Sequence, residues 1–390
     1  MSKVLVISPV PTHPQDEGCN QRVYTLVHEL RKLGHDVNLL HIARHQGDVS
    51  AMSRAWKERL HCIEYRDPMN YFRKLMIRIR GKLSLPYNYR IDDWCYEGLK
   101  SEVKKVIDRV EPDVVIVEYI YLSCLFTLVP QAKLKILDTH DVMSGRHEKI
   151  IAAGHTPRWF SCTPEEEAKA LDRADVIVAI QDIERDFFSR LTTKKVVTVG
   201  HLVPHRQPEK PSLNGRTLLF VGTGNPPNVD AITWFIKKIL PRLVVKLPGI
   251  KLILVGKICN QIQDFPHCLK YGRVEDLSAV YQSVDVVLNP VRFGTGLKIK
   301  SIEALGYAKP LVTTPVGAEG MEFVAGEAFL LANDENEFEE YVYRLLTDKH
   351  LYERVCAGAY QFVLKWNEQH LSAVSQLISD VTVERQKVLQ

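Results

Sequence analysis

Short apolar runs of strand length recur through this 390-residue chain, and stretches of helical period separate them. In the first half such runs fall at 4–9, 37–41, 114–118, 135–138, 176–180 and 196–199, with a helix expected over 21–33. The second half repeats the plan, with strands at 218–221, 251–255, 286–289, 310–313 and 328–330 and a helix over 230–243. Strands alternating with helices argue for layered α/β domains with parallel sheets. Between the halves lies GHLVPHRQPEKPSLNGR at 200–216, which holds Pro204, Pro208 and Pro211 with glycines near both ends. That is linker composition. The expected organisation is therefore a first domain over 1–199, a linker over 200–216 and a second domain over 217–370. A terminal helix follows over 371–390. Two doubly wound, Rossmann-like domains joined once face each other across a cleft at their strand carboxyl ends, where such sheets bind ligands.

The most informative stretch is 289–320, NPVRFGTGLKIKSIEALGYAKPLVTTPVGAEG, which reads as strand end, glycine loop, helix, strand, glycine loop. The loop Gly294-Thr295-Gly296 is low in bulk, so its backbone N–H groups can approach a ligand closely. The spacing of Ile299, Ile302 and Leu305 predicts a helix from Leu297 to Gly306. Its first turn carries Lys298 and Lys300, where the helix dipole favours acidic residues. Lys298 also falls within the arc set by Ile302 and Leu305, on the core side. Bare N–H groups, the dipole and two ammonium groups make a diphosphate site. The alternative is a surface helix whose lysines snorkel into water. Glu303 lies about 7 Å further along the axis, where a carboxylate can accept from both hydroxyls of a ribose. Its alternative is a surface pair with Lys300.

GTGLKIKSIEAL followed by AKPLVTTPVGAEG resembles the donor-binding segment of the retaining glycosyltransferases with the GT-B fold. It is closest to the subgroup reading G-[TA]-G-[LV]-K-x-K-x-x-E-A-L, and the resemblance covers nearly the whole chain. It implies that Lys298 binds the donor pyrophosphate and Glu303 the ribose hydroxyls. Many members carry a second glutamate eight residues before the ribose glutamate, where this chain has Thr295. A threonine hydroxyl or the loop backbone then takes over those contacts to the donor sugar. The resemblance also implies that Gly18 belongs to a glycine loop facing the donor phosphate and the acceptor. Cys19 stands there in place of the second glycine. Arg22 is either a phosphate or acceptor contact or a solvated helix residue. His140, in Asp138-Thr139-His140-Asp141, is implied to lie near the anomeric carbon, as a sugar contact and proton relay. A loop carbonyl satisfying that histidine is the alternative, and Arg146 is a lesser candidate nearby. Arg273, in Gly272-Arg273-Val274, occupies the position that reads the nucleobase. Gly200-His201 is placed at the hinge, and the loop 222–228 faces the cleft.

Other classes fit less well. Nicotinamide binding needs G-x-G-x-x-G after a strand, but Gly222-Thr223-Gly224 is followed by Pro227 at the third glycine position. A net charge of +4 is too small to argue for nucleic acid. The eight cysteines have no C-x-x-C spacing, which argues against zinc and against a secreted disulfide frame. No apolar run approaches a membrane span, and the amino terminus reads as a strand rather than a signal peptide. The expected location is cytoplasmic. YFRKLMIRIRGK at 71–82 carries Arg73, Lys74, Arg78, Arg80 and Lys82, with no acidic residue from 68 to 91. A basic amphipathic helix there suits an anionic membrane surface, an acidic acceptor, or a plain solvated face.

Together these readings imply transfer of a sugar from a nucleoside-diphosphate sugar to a saccharide or lipid-linked hydroxyl, with retention. Surface polysaccharide assembly is the expected setting. Lys298, Lys300 and the N–H groups of Gly294, Thr295, Gly296 and Leu297 neutralise the leaving diphosphate. No cofactor or metal is expected, and no Asp-x-Asp motif is present. A nucleotide-sugar epimerase and a non-catalytic sugar-nucleotide-binding subunit are the competing readings.

Overall fold

The computed structural model describes all residues except 46, 70, 84, 86, 158–159, 209–215, 275 and 389–390, together with the side chains of 379–388. It divides into two compact units, one of residues 1–200 with 370–390 and the other of residues 201–369. Most of the second half of the expected linker, 209–215, lies outside the described residues. Its first half is part of the second unit. Asn367 bonds both backbone groups of Val203, and the Gly306 carbonyl accepts from the Arg206 N–H at 2.8 Å.

The first unit holds a parallel sheet of β1 (Lys3–Ser8), β2 (Asp36–Ala43), β3 (Leu60–Glu64), β4 (Val114–Glu118), β5 (Leu134–Asp138), β6 (Val176–Ala179) and β7 (Lys195–Thr198). Their order is β3-β2-β1-β4-β5-β6-β7. Successive side chains of a strand point to opposite faces. Leu5 and Ile7 therefore enter one core with Leu40, Val115 and Leu137, while Val4 and Val6 enter the other with Val37, Leu39 and Ile116. Helices must cover both faces of such a sheet. The helix Gly18–Lys32 does so by burying Val23, Val27 and Leu30 at helical spacing.

The second unit holds β8 (Thr217–Val221), β9 (Lys251–Val255), β10 (Cys268–Gly272), β11 (Val286–Asn289), β12 (Leu311–Thr313) and β13 (Leu330–Leu331). Again all pairs are parallel, in the order β10-β9-β8-β11-β12-β13. The two doubly wound α/β sheets agree with the fold read from the sequence. Two strands escaped that reading, β3 and β10. Both are edge strands with partly exposed side chains, LHCIE and CLKYG, so neither presents a continuous apolar run. The helix expected over 230–243 is longer, running from Pro226 to Lys246 with a π-turn at Phe235–Ile239. Pro241 explains the turn, because it has no N–H for the regular ladder.

The last helix, Lys349–Val388, begins in the second unit and ends in the first. Val374, Leu377 and Ile378 join Val4, Val23 and Val27 in the first unit's core. Cys95 and Cys124 form a disulfide, which their spacing did not indicate; it is a single bond rather than a frame. No described helix is long and apolar enough to cross a membrane.

Candidate active site

In each sheet the strand order reverses once, between β1 and β4 and between β8 and β11. A crevice opens at such a switch point beyond the strand carboxyl ends. The predicted site residues collect near these points, in one group per unit.

In the first unit, Glu118 ends β4 and Asp138 ends β5 as its register partner. The two carboxylates are buried side by side. Arg22 reaches them from the helix Gly18–Lys32. Its Nη2 donates to Asp138 Oδ1 at 2.8 Å and its Nε to Asp138 Oδ2 at 3.0 Å, while Nη2 also donates to the Val199 carbonyl at 3.1 Å. Burial works against the guanidinium's charge, but Asp138 outweighs it, and the Arg22 pKa rises. Arg22 is therefore not a solvated helix residue. It is the inner half of a buried ion pair. Gly18 opens that helix without a left-handed backbone.

His140 follows β5 with φ of +63°, and Tyr119 follows β4 with φ of +69°. Left-handed backbone is costly for side chains of this size. Here it turns the two rings onto each other, with centroids 4.0 Å apart. His140 Nε2 lies 2.5 Å from Glu118 Oε2. Burial raises the Glu118 pKa, and Asp138 raises it further; His140 and Arg22 oppose them. The loop beyond His140 is clamped by Glu167, which accepts from the Met143 N–H at 2.9 Å, from the Ser144 N–H at 3.0 Å and from the Ser144 hydroxyl. Arg146 is paired with Asp141 at 3.0 Å. Glu118, Asp138 and His140 offer ligand atoms within 4.8 Å of one another. Of these three, Asp138 is already paired with Arg22.

In the second unit, the helix Ile299–Gly306 starts two residues later than predicted, with Lys298 as its N-cap. Gly294 at φ +127° and Gly296 at φ +76° shape the loop before it, conformations that glycine adopts without strain. Lys298 Nζ donates to the Gly296 carbonyl at 2.6 Å and to the Thr295 carbonyl at 3.3 Å, and lies 3.3 Å from Glu319. Lys300 crosses the switch point. Its Nζ donates to Asn228 Oδ1 at 2.6 Å and sits 4.4 Å from the centre of the Phe220 ring. Burial and the nearby Lys298 push its pKa down to about 7, against the pull of Glu303. Neither lysine behaves as a snorkelling surface residue, and Lys300 lies within the electrostatic reach of Glu303. Arg292 spans the same gap by a forked pair with Asp230.

The flanking loops are tightly fitted. Asn289 Nδ2 donates to the Ser301 hydroxyl at 2.7 Å, and that hydroxyl donates to the Gly317 carbonyl at 2.8 Å. A Cβ at Gly317 would lie 2.1 Å from Thr313 Oγ1 and 2.8 Å from the Asn289 carbonyl, so no other residue fits. Glu303 is half-buried beside the stacked rings of Tyr281 and Tyr307, whose pKa values burial raises with a smaller push from Glu303. Arg273 is exposed just beyond β10. His201 is buried in the second unit, its carbonyl accepting from Trp366 Nε1 at 2.8 Å. Glu118, Tyr119, Glu167 and Asn228 were not picked out from the sequence. Only Glu118 had a signal there, as an acidic residue closing an apolar strand like Asp138.

Residues 215–348 match the family described as Glycosyl transferases group 1. A Klebsiella pneumoniae protein described as an uncharacterized 44.6 kDa protein in cps region is 23% identical over 401 residues, covering 93% of this chain and 96% of its own. Sucrose-phosphate synthase from Thermosynechococcus elongatus superposes with a TM-score of 0.69 at 14% identity, over 98% of this chain and 100% of its own. HepE from Anabaena, solved with UDP-glucose, gives a TM-score of 0.61 at 14% identity, over 96% of this chain and 100% of its own. At such identities these structures show a shared fold.

Proposed function

We propose that this protein is a glycosyltransferase that moves a sugar from a nucleoside-diphosphate sugar to an acceptor hydroxyl with retention of anomeric configuration. One observation carries the reading. Lys298 and Lys300 converge at the start of the helix Ile299–Gly306, beside the glycine loop and at the switch point of the second sheet. Cations and helix N–H groups placed there suit a diphosphate and stabilise it as a leaving group. The match of 215–348 to the glycosyl transferases spans this segment. Lys298 now rests on loop carbonyls and lies 3.3 Å from Glu319, and Lys300 rests on the Asn228 amide oxygen; a diphosphate would offer both a stronger charged acceptor.

Glu303 is assigned to the ribose, Arg273 to the base, and His140 to the donor sugar, with Glu118 holding its proton. With two lysines supplying the charge, the reaction takes no metal. The HepE complex makes a uridine diphosphate sugar the first donor to try. The relative in a cps region is in keeping with surface polysaccharide assembly.

The test is nucleotide binding in EDTA, followed by transfer assays on the parent and on Lys298→Met. UDP should raise the melting temperature, and the variant should transfer sugar roughly 100-fold more slowly with its fold intact. No shift with any of five nucleoside diphosphates, or parent-like turnover by the variant, would overturn the reading. Conversion of the donor sugar without transfer would instead indicate an epimerase.

A further inference from the structure

The helix Tyr71–Lys82 of the first unit buries none of its residues fully. Its inner side is nonetheless defined. Ile77 packs on the first unit's core, and Arg73 donates to the Tyr87 hydroxyl at 3.1 Å and pairs with Asp93. The outer side is apolar. Tyr71 is 78% exposed, Phe72 70%, Leu75 37% and Ile79 41%. At about 100° per residue these four share an arc of roughly 100°. Leu83 and Leu85 extend the apolar strip beyond the helix end, at 63% and 42% exposure.

The charges are arranged differently from the even basic face that the sequence suggests. Arg73 and Lys74 are neutralised by Asp93 and Asp67. Arg78 and Lys82 are exposed, have no ion pair among the described residues, and fall along one margin of the apolar arc. A strip of exposed aromatic and aliphatic side chains with unpaired cations at its rim matches one surface well. The rings and alkyl groups enter the boundary between headgroups and acyl chains, and the cations meet anionic headgroups. A second copy of the chain fits poorly. A two-fold contact through the strip would bring two sets of the unpaired Arg78 and Lys82 into one interface.

We infer that Tyr71–Lys82 is a membrane-docking element that seats the protein on an anionic lipid surface. The inference stands apart from sugar transfer and needs no nucleotide.

The experiment is co-sedimentation of the full-length protein with phosphatidylcholine vesicles, with and without phosphatidylglycerol, across a salt series. The parent should bind the phosphatidylglycerol vesicles at low salt and release as salt rises. Phe72→Ser with Ile79→Ser should weaken binding about tenfold or more. Arg78→Gln with Lys82→Gln should weaken it about thirtyfold, from roughly fivefold per cation, and should abolish the preference for phosphatidylglycerol. All four side chains are exposed, so melting temperatures should match the parent. Parent protein that stays in the supernatant at low salt would overturn the inference. So would unchanged binding by the Phe72→Ser, Ile79→Ser variant. A dimer seen by light scattering that this variant dissolves, without vesicle binding, would reassign the strip to a second copy.

Discussion

Lys300 makes the diphosphate site sensitive to pH in a way that can be worked out. Its folded pKa is about 7, against roughly 10.4 for a free lysine. In the ligand-free protein the neutral form is favoured, so between pH 7 and 10 the unfolded state binds more protons. Stability should therefore rise with pH across that window. Binding has the opposite slope. A diphosphate against Nζ favours the ammonium, so binding takes up a proton. With a pKa near 7, about half of the free protein carries that proton at pH 7, about one-tenth at pH 8 and about one-hundredth at pH 9. If the bound pKa exceeds 9, affinity falls about fivefold from pH 7 to 8 and about tenfold more to pH 9. A phosphate's last ionisation lies near pH 6, below this range. Titration calorimetry with UDP in buffers of different ionisation enthalpy gives both the affinity and the proton uptake. Lys300→Met should show no slope, and the parent's advantage over it should shrink as pH rises, vanishing only above the bound pKa. An affinity that is flat from pH 7 to 9 in the parent, with no proton uptake, would refute the placement of Lys300 against the diphosphate.

Two further perturbations test the first unit. Arg22→Met leaves Asp138 buried without its cation, and should cost about 3–5 kcal/mol in urea denaturation; a loss below about 1 kcal/mol would mean that Asp138 is already neutral. His140→Ala should keep nucleotide affinity, because the proposed nucleotide site lies in the second unit, and should slow transfer by about 100-fold or more. A fall in melting temperature with turnover preserved would make His140 purely structural.

The site in the second unit was legible because its signals are local. Lys298 and Lys300 stand out as charges at the wrong end of a helix, and Gly294 and Gly296 mark the loop within a few residues. What remained hidden depends on distant pairings. Nothing in VVIVE says that Glu118 will lie beside Asp138, because register across β4 and β5 decides it. In sequence Arg22 is open between a phosphate or acceptor contact and a solvated helix residue, and its burial against a partner 116 positions away cannot be read locally. The expected start of the helix at Leu297 was wrong by two residues because apolar spacing does not report where backbone dihedrals change. The edge strands β3 and β10 were lost because their period is diluted by exposed positions.

The last helix has a consequence for synthesis. Val374, Leu377 and Ile378 complete the core built on Val4 and Val23, so the first unit to leave the ribosome is finished by a segment made only after the whole second unit. While the second unit is being translated, the apolar surface beside Val23 and Val27 has no cover. A nascent chain of this design needs that surface shielded until Val374, Leu377 and Ile378 have been made, and a stop codon after residue 369 would leave it open for good.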